Sequence, residues 1–206
     1  MRRNLTLSIT ACFIFFISGT ISGQDQQNGT YASYAPGFAS AQSFYEGTND
    51  LISDIVQSMF THDEKDEKTG STGIISIGYN RFFSEKIKLG ISGSYTKYTN
   101  TRDFLEDGEL KQHYKWSDSF ITLMLRFDFH YVRKEKLSMY CGLSAGISFV
   151  EGKNISGAED LALPSKSLFA FHLNAFGIRF GKDLGFFLES GFGYNGLVSG
   201  GIDYQF

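Results

Sequence analysis

The side chains able to do ionic or acid–base chemistry recur on one parity of a few alternating segments. Arg126, Asp128 and His130 stand every second residue, and His172, Glu189 and Asp203 take the same kind of position further along, with Asn174 beside His172. Residues two apart share one face of a strand. If those faces line the inside of a closed sheet, the six ionisable groups form one of two things. They are an ion path or proton-linked site, or they are a salt-bridge network that plugs the interior, because charges taken out of water must pair. In a narrow barrel the plug is the expected outcome.

Other constellations are weaker. His113 lies near Ser117 and Ser119, and His172 near Ser167, so nucleophile and base pairs can be drawn. Four histidines among many serines produce such pairs by chance. His62, Asp63, Glu64, Asp66 and Glu67 form a cluster suited to a hard cation, but they lack the ordered spacing of a calcium loop and read as a solvated turn. The chain spells no H-E-x-x-H, Walker loop or C-x-x-C pattern. No catalytic residue, cofactor or metal is expected.

The elements that must carry the charged faces are strands. From Ile121 the odd positions are Ile121, Leu123, Leu125, Phe127, Phe129 and Tyr131, against Thr122, Met124, Arg126, Asp128 and His130. Leu137, Met139, Cys141, Leu143, Ala145, Ile147 and Phe149 repeat the design against Ser138, Tyr140, Gly142, Ser144, Gly146 and Ser148. Seven strands follow, at 72–82, 86–100, 113–131, 137–150, 166–181, 185–194 and 197–206. In the fifth the apolar set switches parity after Gly177, which predicts a bulge or kink at that glycine. In the sixth, Phe186, Leu188, Phe192 and Tyr194 are expected on one face. Parity of strand number requires an eighth, and 28–38 is the candidate, with Tyr31, Tyr34 and Phe38 in its favour and Pro36 against it.

Connections alternate in length. Short turns are expected at 83–86, 133–136 and 181–185, longer polar loops at 100–112 and 151–165, and a two-residue turn at Asn195-Gly196. Leu51, Ile52, Ile55, Val56, Met59 and Phe60 recur at helical spacing behind Thr48 or Asn49, so one short amphipathic helix is expected near 48–60, in the first long loop. It would pack over the barrel mouth, lie on lipid headgroups or dock an extracellular partner.

The first 23 residues carry Arg2 and Arg3, an apolar run from Leu5 to Ile17 and then small residues, the anatomy of a cleaved secretory signal ending near Gly23. The remainder, 24–206, is one domain. The leader holds Cys12, so the mature chain retains Cys141 alone and no internal disulfide is expected. It also holds two of the 19 basic residues and none of the 22 acids, leaving an acidic remainder with no footprint for nucleic acid. Aromatics make up 16% of the chain, with 23 glycines and only 2 prolines, which suits closed antiparallel sheets.

Period two alone does not separate a barrel in water from one in lipid. The small face here is Gly, Ser, Ala and Thr with a few charges, a poor coat for a soluble lipocalin-like barrel but a workable lining for a narrow lumen. Aromatics fall in two groups: Phe127, Phe129, Tyr131, Phe180, Phe186, Tyr204 and Phe206 toward the turn side, and Tyr95, Tyr98, Tyr114, Trp116, Phe149 and Phe169 toward the loop side. Two such girdles mark the two membrane interfaces.

With the ending Ile202-Asp203-Tyr204-Gln205-Phe206, the pattern over 28–206 resembles the small eight-stranded outer-membrane barrels of Gram-negative bacteria, the OmpA/OmpX-like group. The resemblance implies a closed up-and-down transmembrane β-barrel in the outer membrane. It also implies that Tyr204 and Phe206 act as the signal read by the outer-membrane insertion machinery. The function then expected is non-enzymatic: envelope structure, adhesion or ligand contact through the outer loops. A small channel, a lipid-modifying barrel enzyme and a soluble periplasmic barrel remain as alternatives.

Overall fold

The computed structural model describes residues 28–36, 67–106, 109–156 and 165–206. Nine strands fill them: β1 (Asn28–Ala35), β2 (Glu67–Ser71), β3 (Ile74–Phe82), β4 (Ile87–Glu106), β5 (Glu109–Lys134), β6 (Leu137–Ser156), β7 (Lys166–Gly181), β8 (Leu184–Gly193) and β9 (Val198–Gln205). All pairings are antiparallel. The sheet runs β2-β4-β3-β1-β9-β8-β7-β6-β5, and the β4–β5 pairing closes it into a ring. β2 and β3 follow one another along the same edge of β4, interrupted at Thr72 and Gly73, so the closed barrel has eight staves. The signal segment and the helix expected near 48–60 lie outside the described residues.

The first strand is real and ends one residue before Pro36, whose missing amide hydrogen could not extend the ladder. It closes the seam on both sides, pairing Ala32 with Ile77 of β3 and with Ile202 of β9. The last residue joins that seam: the Asn28 amide donates to the Phe206 carbonyl at 2.9 Å, and the Phe206 amide donates back at 2.8 Å.

Three short turns, at 83–86, 135–136 and 182–183, sit at one end of the barrel. Lys182 Nζ reaches Glu135 Oε1 at 3.2 Å from turn to turn, and the Gln205 amide donates to the Asp183 carbonyl at 2.7 Å.

Three expectations need correction at the opposite end and in β7. The polar stretch 100–112 is not a loop: β4 and β5 stay paired up to Glu106 opposite Glu109, so the hairpin rises well beyond the closed barrel. From Thr96 to Glu106 that is roughly 33 Å at about 3.3 Å per residue. The Asn195-Gly196 connection spans four residues, 194–197, with Gly196 at φ +84°, where a side chain would be strained, and its amide donating to the Gly193 carbonyl. The bulge in β7 comes two residues before Gly177, where Ala175 is the extra residue against both β6 and β8.

The barrel is inside out relative to a water-soluble one. Leu123, Leu125, Leu143 and Ile147 are 50, 63, 52 and 50% exposed, while Ser144, Ser148, Thr122 and Arg126 are buried. The outward set continues around the ring through Ile75, Ile77, Ile91, Phe169, Leu173, Phe186, Leu188 and Ile202. Beyond the bulge both Ala175 and Phe176 face out, and the apolar series resumes on even positions with Phe180.

Candidate functional site

The described interior changes along its length, with most of its charge at the short-turn end and an apolar cluster toward the other. Near the short turns the lumen holds three cations, Lys88, Arg126 and Arg179, and three anions, Asp128, Glu189 and Asp203, all buried. Opposite charges in a space shielded from water can satisfy one another, and two arginines do so with all three carboxylates.

Arg126 is the centre. Its Nε donates to both oxygens of Asp128 at 3.0 and 2.8 Å, and its Nη1 and Nη2 donate to Glu189, the former at 3.3 Å to Oε2 and the latter in a short contact to Oε1. The guanidinium is flanked by the rings of Tyr31, 5.4 Å from its Cζ, and Tyr140, 5.9 Å away. The Tyr140 hydroxyl donates to Glu189 Oε1 at 2.7 Å. Room for the two rings comes from two glycines: a Cβ on Gly78 would collide with the Tyr31 ring, and one on Gly177 with the Tyr140 ring.

A second arginine closes the barrel floor. Arg179 Nε donates to Asp203 Oδ1 and Oδ2 at 2.8 and 2.7 Å, while its Nη1 and Nη2 donate to the carbonyls of Gly181 and Lys182, each at 2.7 Å. One guanidinium thereby ties β7 to β9 and fixes the turn between β7 and β8. Gln205 adds a hydrogen bond to Asp203 at 3.1 Å. His130 joins through Ser138, with Nδ1 and Oγ 2.6 Å apart, and its ring stacks on Tyr140 at 4.8 Å between centroids. Lys88 places its ammonium 5.3 Å from the Phe82 ring centre.

Farther from the turns an apolar cluster fills the interior: Tyr98, Phe120, Met124, Val150, Ala170 and Tyr194 pack together, with Leu168 against them and Asp118 buried beside Tyr98. Tyr98 meets Phe120 edge to face at 5.8 Å. Thr122 and Ser148 share a hydrogen bond of 2.8 Å on the same inner surface.

All six residues expected in the lumen, Arg126, Asp128, Glu189, Asp203, His130 and His172, are buried there. Arg126, Asp128 and Glu189 form one hydrogen-bonded group; Asp203 belongs to the Arg179 group; His130 pairs with Ser138. His172 stands apart, opposite Ser144 on β6, with Nδ1 lacking a hydrogen-bond partner among the described residues. Asn174 braces the bulge: with its amide nitrogen turned toward them, it donates to the carbonyls of Phe176 at 2.9 Å and Ser190 at 3.2 Å.

Lys88 and Arg179 were legible by parity but not named from the sequence. Lys88 is in step with Gly90, Ser92 and Ser94, and Arg179 comes into step once the bulge is placed at Ala175. Three aromatics expected on the outer surface are inside instead: Tyr98, Tyr114 and Tyr194 are buried. For Tyr98 and Tyr194 the reason is visible, since they form part of the apolar filling. Trp116, only partly exposed and opposite buried Asn100, also leaves the outer row, whereas the other girdle members keep outward positions, among them Phe169 and Phe149 on one side and Phe186, Tyr204 and Phe206 on the other.

The drawn hydrolase pair of His172 and Ser167 is not brought together, because Ser167 faces out and His172 in. The side chain of His113 and those of His62 to Glu67 lie outside the described residues. No G-x-S-x-G elbow is expected from the sequence, yet Gly142-Leu143-Ser144-Ala145-Gly146 spells that pattern. It lies in the regularly paired middle of β6, not on the strand-to-helix turn that presents a nucleophile. Ser144 and His172 face each other, but both are buried on the inner surface, away from the apolar exterior where a lipid would approach. Among the described residues no group of three His, Cys, Asp or Glu side chains is placed to hold a metal ion.

No protein-family model matches the chain, and no curated protein matches it.

Proposed function

We propose that the chain is an integral outer-membrane β-barrel of the OmpA/OmpX-like kind, carried across the inner membrane by a cleaved leader. In this reading it is a non-enzymatic envelope protein whose work is done by what it presents at the loop end. The observation that carries the reading is the band of exposed Ile, Leu and Phe side chains around a closed ring whose interior is polar and charged. In water such a band would drive aggregation. In lipid it is the favourable surface, and the closed ring leaves no unpaired backbone edge at membrane depth.

The outward aromatics at both ends of the band support the same placement, and the ending Tyr204-Gln205-Phe206 supports assembly by the outer-membrane insertion machinery. A soluble lipocalin-like barrel would need Leu123, Leu125, Leu143 and Ile147 directed inward, and they are not. The paired charges and the apolar filling argue against a channel, because an ion would have to displace Phe120, Met124 and the Arg126 group. The long β4–β5 hairpin, joined by β2 and the end of β6, supports a role in contact with an extracellular ligand or partner.

Fractionation of the native membrane followed by gel mobility with and without boiling tests the proposal. A folded barrel resists SDS and migrates apart from its boiled form in the outer-membrane fraction. Recovery in the soluble fraction without detergent, with one mobility under both conditions, would overturn it.

A further inference from the structure

Immediately beyond the apolar band, on the side of the long hairpin, the outward surface changes from hydrocarbon to lysine. Tyr95 of β4, Ile121 of β5 and Phe149 of β6 form one row across three neighbouring strands. The next row outward is Lys97, Ser119 and Glu151; the next is Thr99, Ser117 and Lys153; then come Thr101 and Lys115. Lys153 is exposed, and Lys97 and Lys115 are partly so.

Lys115 and Lys153 are diagonal neighbours on adjacent strands, about 7–8 Å apart at the backbone. Lys97 is on the same face, roughly 12 Å from Lys153 across two strands. Within these rows Glu151 is the one acid among the described residues. Three cations on a rigid sheet, at the height where an outward aromatic row ends, make a surface complementary to negative charge held at the lipid headgroup level.

We infer that Lys97, Lys115 and Lys153 form a docking surface for the phosphate groups of an outer-leaflet lipid. The inference rests on the membrane reading above. Its chemistry is simple: each ammonium donates to phosphate oxygens, while the lipid's acyl chains run down the band over Tyr95, Ile121 and Phe149. A lipid is favoured over free phosphate because the lysines adjoin hydrocarbon-compatible surface and do not converge on an enclosed pocket.

The test is native mass spectrometry of the folded, full-length mature barrel, released from zwitterionic detergent micelles doped with diphosphoryl lipid A or with its dephosphorylated form. The wild-type barrel should retain the phosphorylated lipid and release the dephosphorylated one. The triple variant Lys97→Gln/Lys115→Gln/Lys153→Gln should bind roughly a hundredfold more weakly. A control, Lys134→Gln/Lys136→Gln at the opposite end, removes like charge elsewhere and should bind as wild type. Inorganic phosphate in excess should not displace the lipid.

Equal retention of both lipids, retention by the triple variant or loss by the control overturns the inference. Displacement by inorganic phosphate overturns the choice of a lipid. Heat-dependent gel mobility of each variant separates the two levels. A wild-type chain that never forms an SDS-resistant barrel refutes the membrane reading itself; a folded barrel without lipid preference refutes only the lysine surface.

Discussion

Arg126 on β5 and Glu189 on β8 bond directly across the lumen, although β6 and β7 stand between their strands in the ring. Ladder hydrogen bonds hold each strand to its neighbours, but this contact links strands that are not neighbours, so it braces the cross-section. The two tyrosines around the guanidinium come from β1 and β6, which brings four strands to one group. A buried pair of this kind is costly to break, since the surviving charge remains without its partner.

The brace predicts a non-additive mutant cycle. Glu189→Gln leaves Arg126 with Asp128 alone and should cost about 3 kcal/mol of barrel stability. Arg126→Met strands two carboxylates and should cost at least as much. Arg126→Met with Glu189→Gln should cost less than the two single losses together. Urea titration of the folded fraction, read by the heat-dependent gel shift, measures all three.

The filled lumen predicts electrical silence. Purified wild-type barrel in planar bilayers should show no steady conductance. Phe120→Gly combined with Met124→Gly removes two of the largest buried side chains of the apolar segment and should produce openings. Steady wild-type conductance would show that the interior is not a plug.

The outward band predicts depth-dependent costs for a charge. Leu125→Arg, near the middle of the band, should destabilise by about 2–4 kcal/mol, whereas an arginine at Tyr204, near its edge, should cost about 0–1 kcal/mol. Equilibrium refolding into vesicles of defined lipid gives both values. Equal costs at the two positions would place the band elsewhere.

The proposed insertion role of the C-terminal aromatics predicts a kinetic defect. Phe206 stacks on Tyr204 with ring centres 5.8 Å apart and is 59% exposed, so its ring contributes little to packing inside the barrel. Phe206→Ala should lower the amount assembled in the outer membrane in cells, while the purified variant refolds into detergent with nearly unchanged stability. An unchanged cellular level would remove the insertion role from Phe206.

Strands were legible where the two faces differ in chemistry. The run from Ile121 to Tyr131 alternates hydrocarbon with polar atoms because one face meets lipid-compatible surface and the other a charged lumen, and β5 follows that run. The same strand was lost at 109–112, and β4 at 101–106, because polar residues there leave no contrast for period two to reveal. β1 was faint for a related reason: its outward residues are Thr30, Ala32 and Tyr34, and its inward residues include the large Tyr31 beside Gly29 and Ala35.

The lumen was half legible. Parity placed Arg126, Asp128, His130 and Glu189 correctly, and it could have placed Lys88. It places Arg179 inside once the parity switch near Gly177 is taken into account, because one inserted residue exchanges the faces of everything after it. Phe120 and Tyr98 are in step with the lumen residues Thr122 and Ser94, but Tyr194 is in step with the outward Phe186 and Leu188, and parity could not foresee that it turns inward.

The central claim is the direction of the alternating side chains. Single tryptophans, introduced in a Trp116→Phe background at positions 122 to 127 of the barrel reconstituted in lipid with brominated acyl chains, test it most directly. Strong quenching at 123, 125 and 127, with weak quenching at 122, 124 and 126, is the expected result. The reverse pattern, or quenching without alternation, would contradict it.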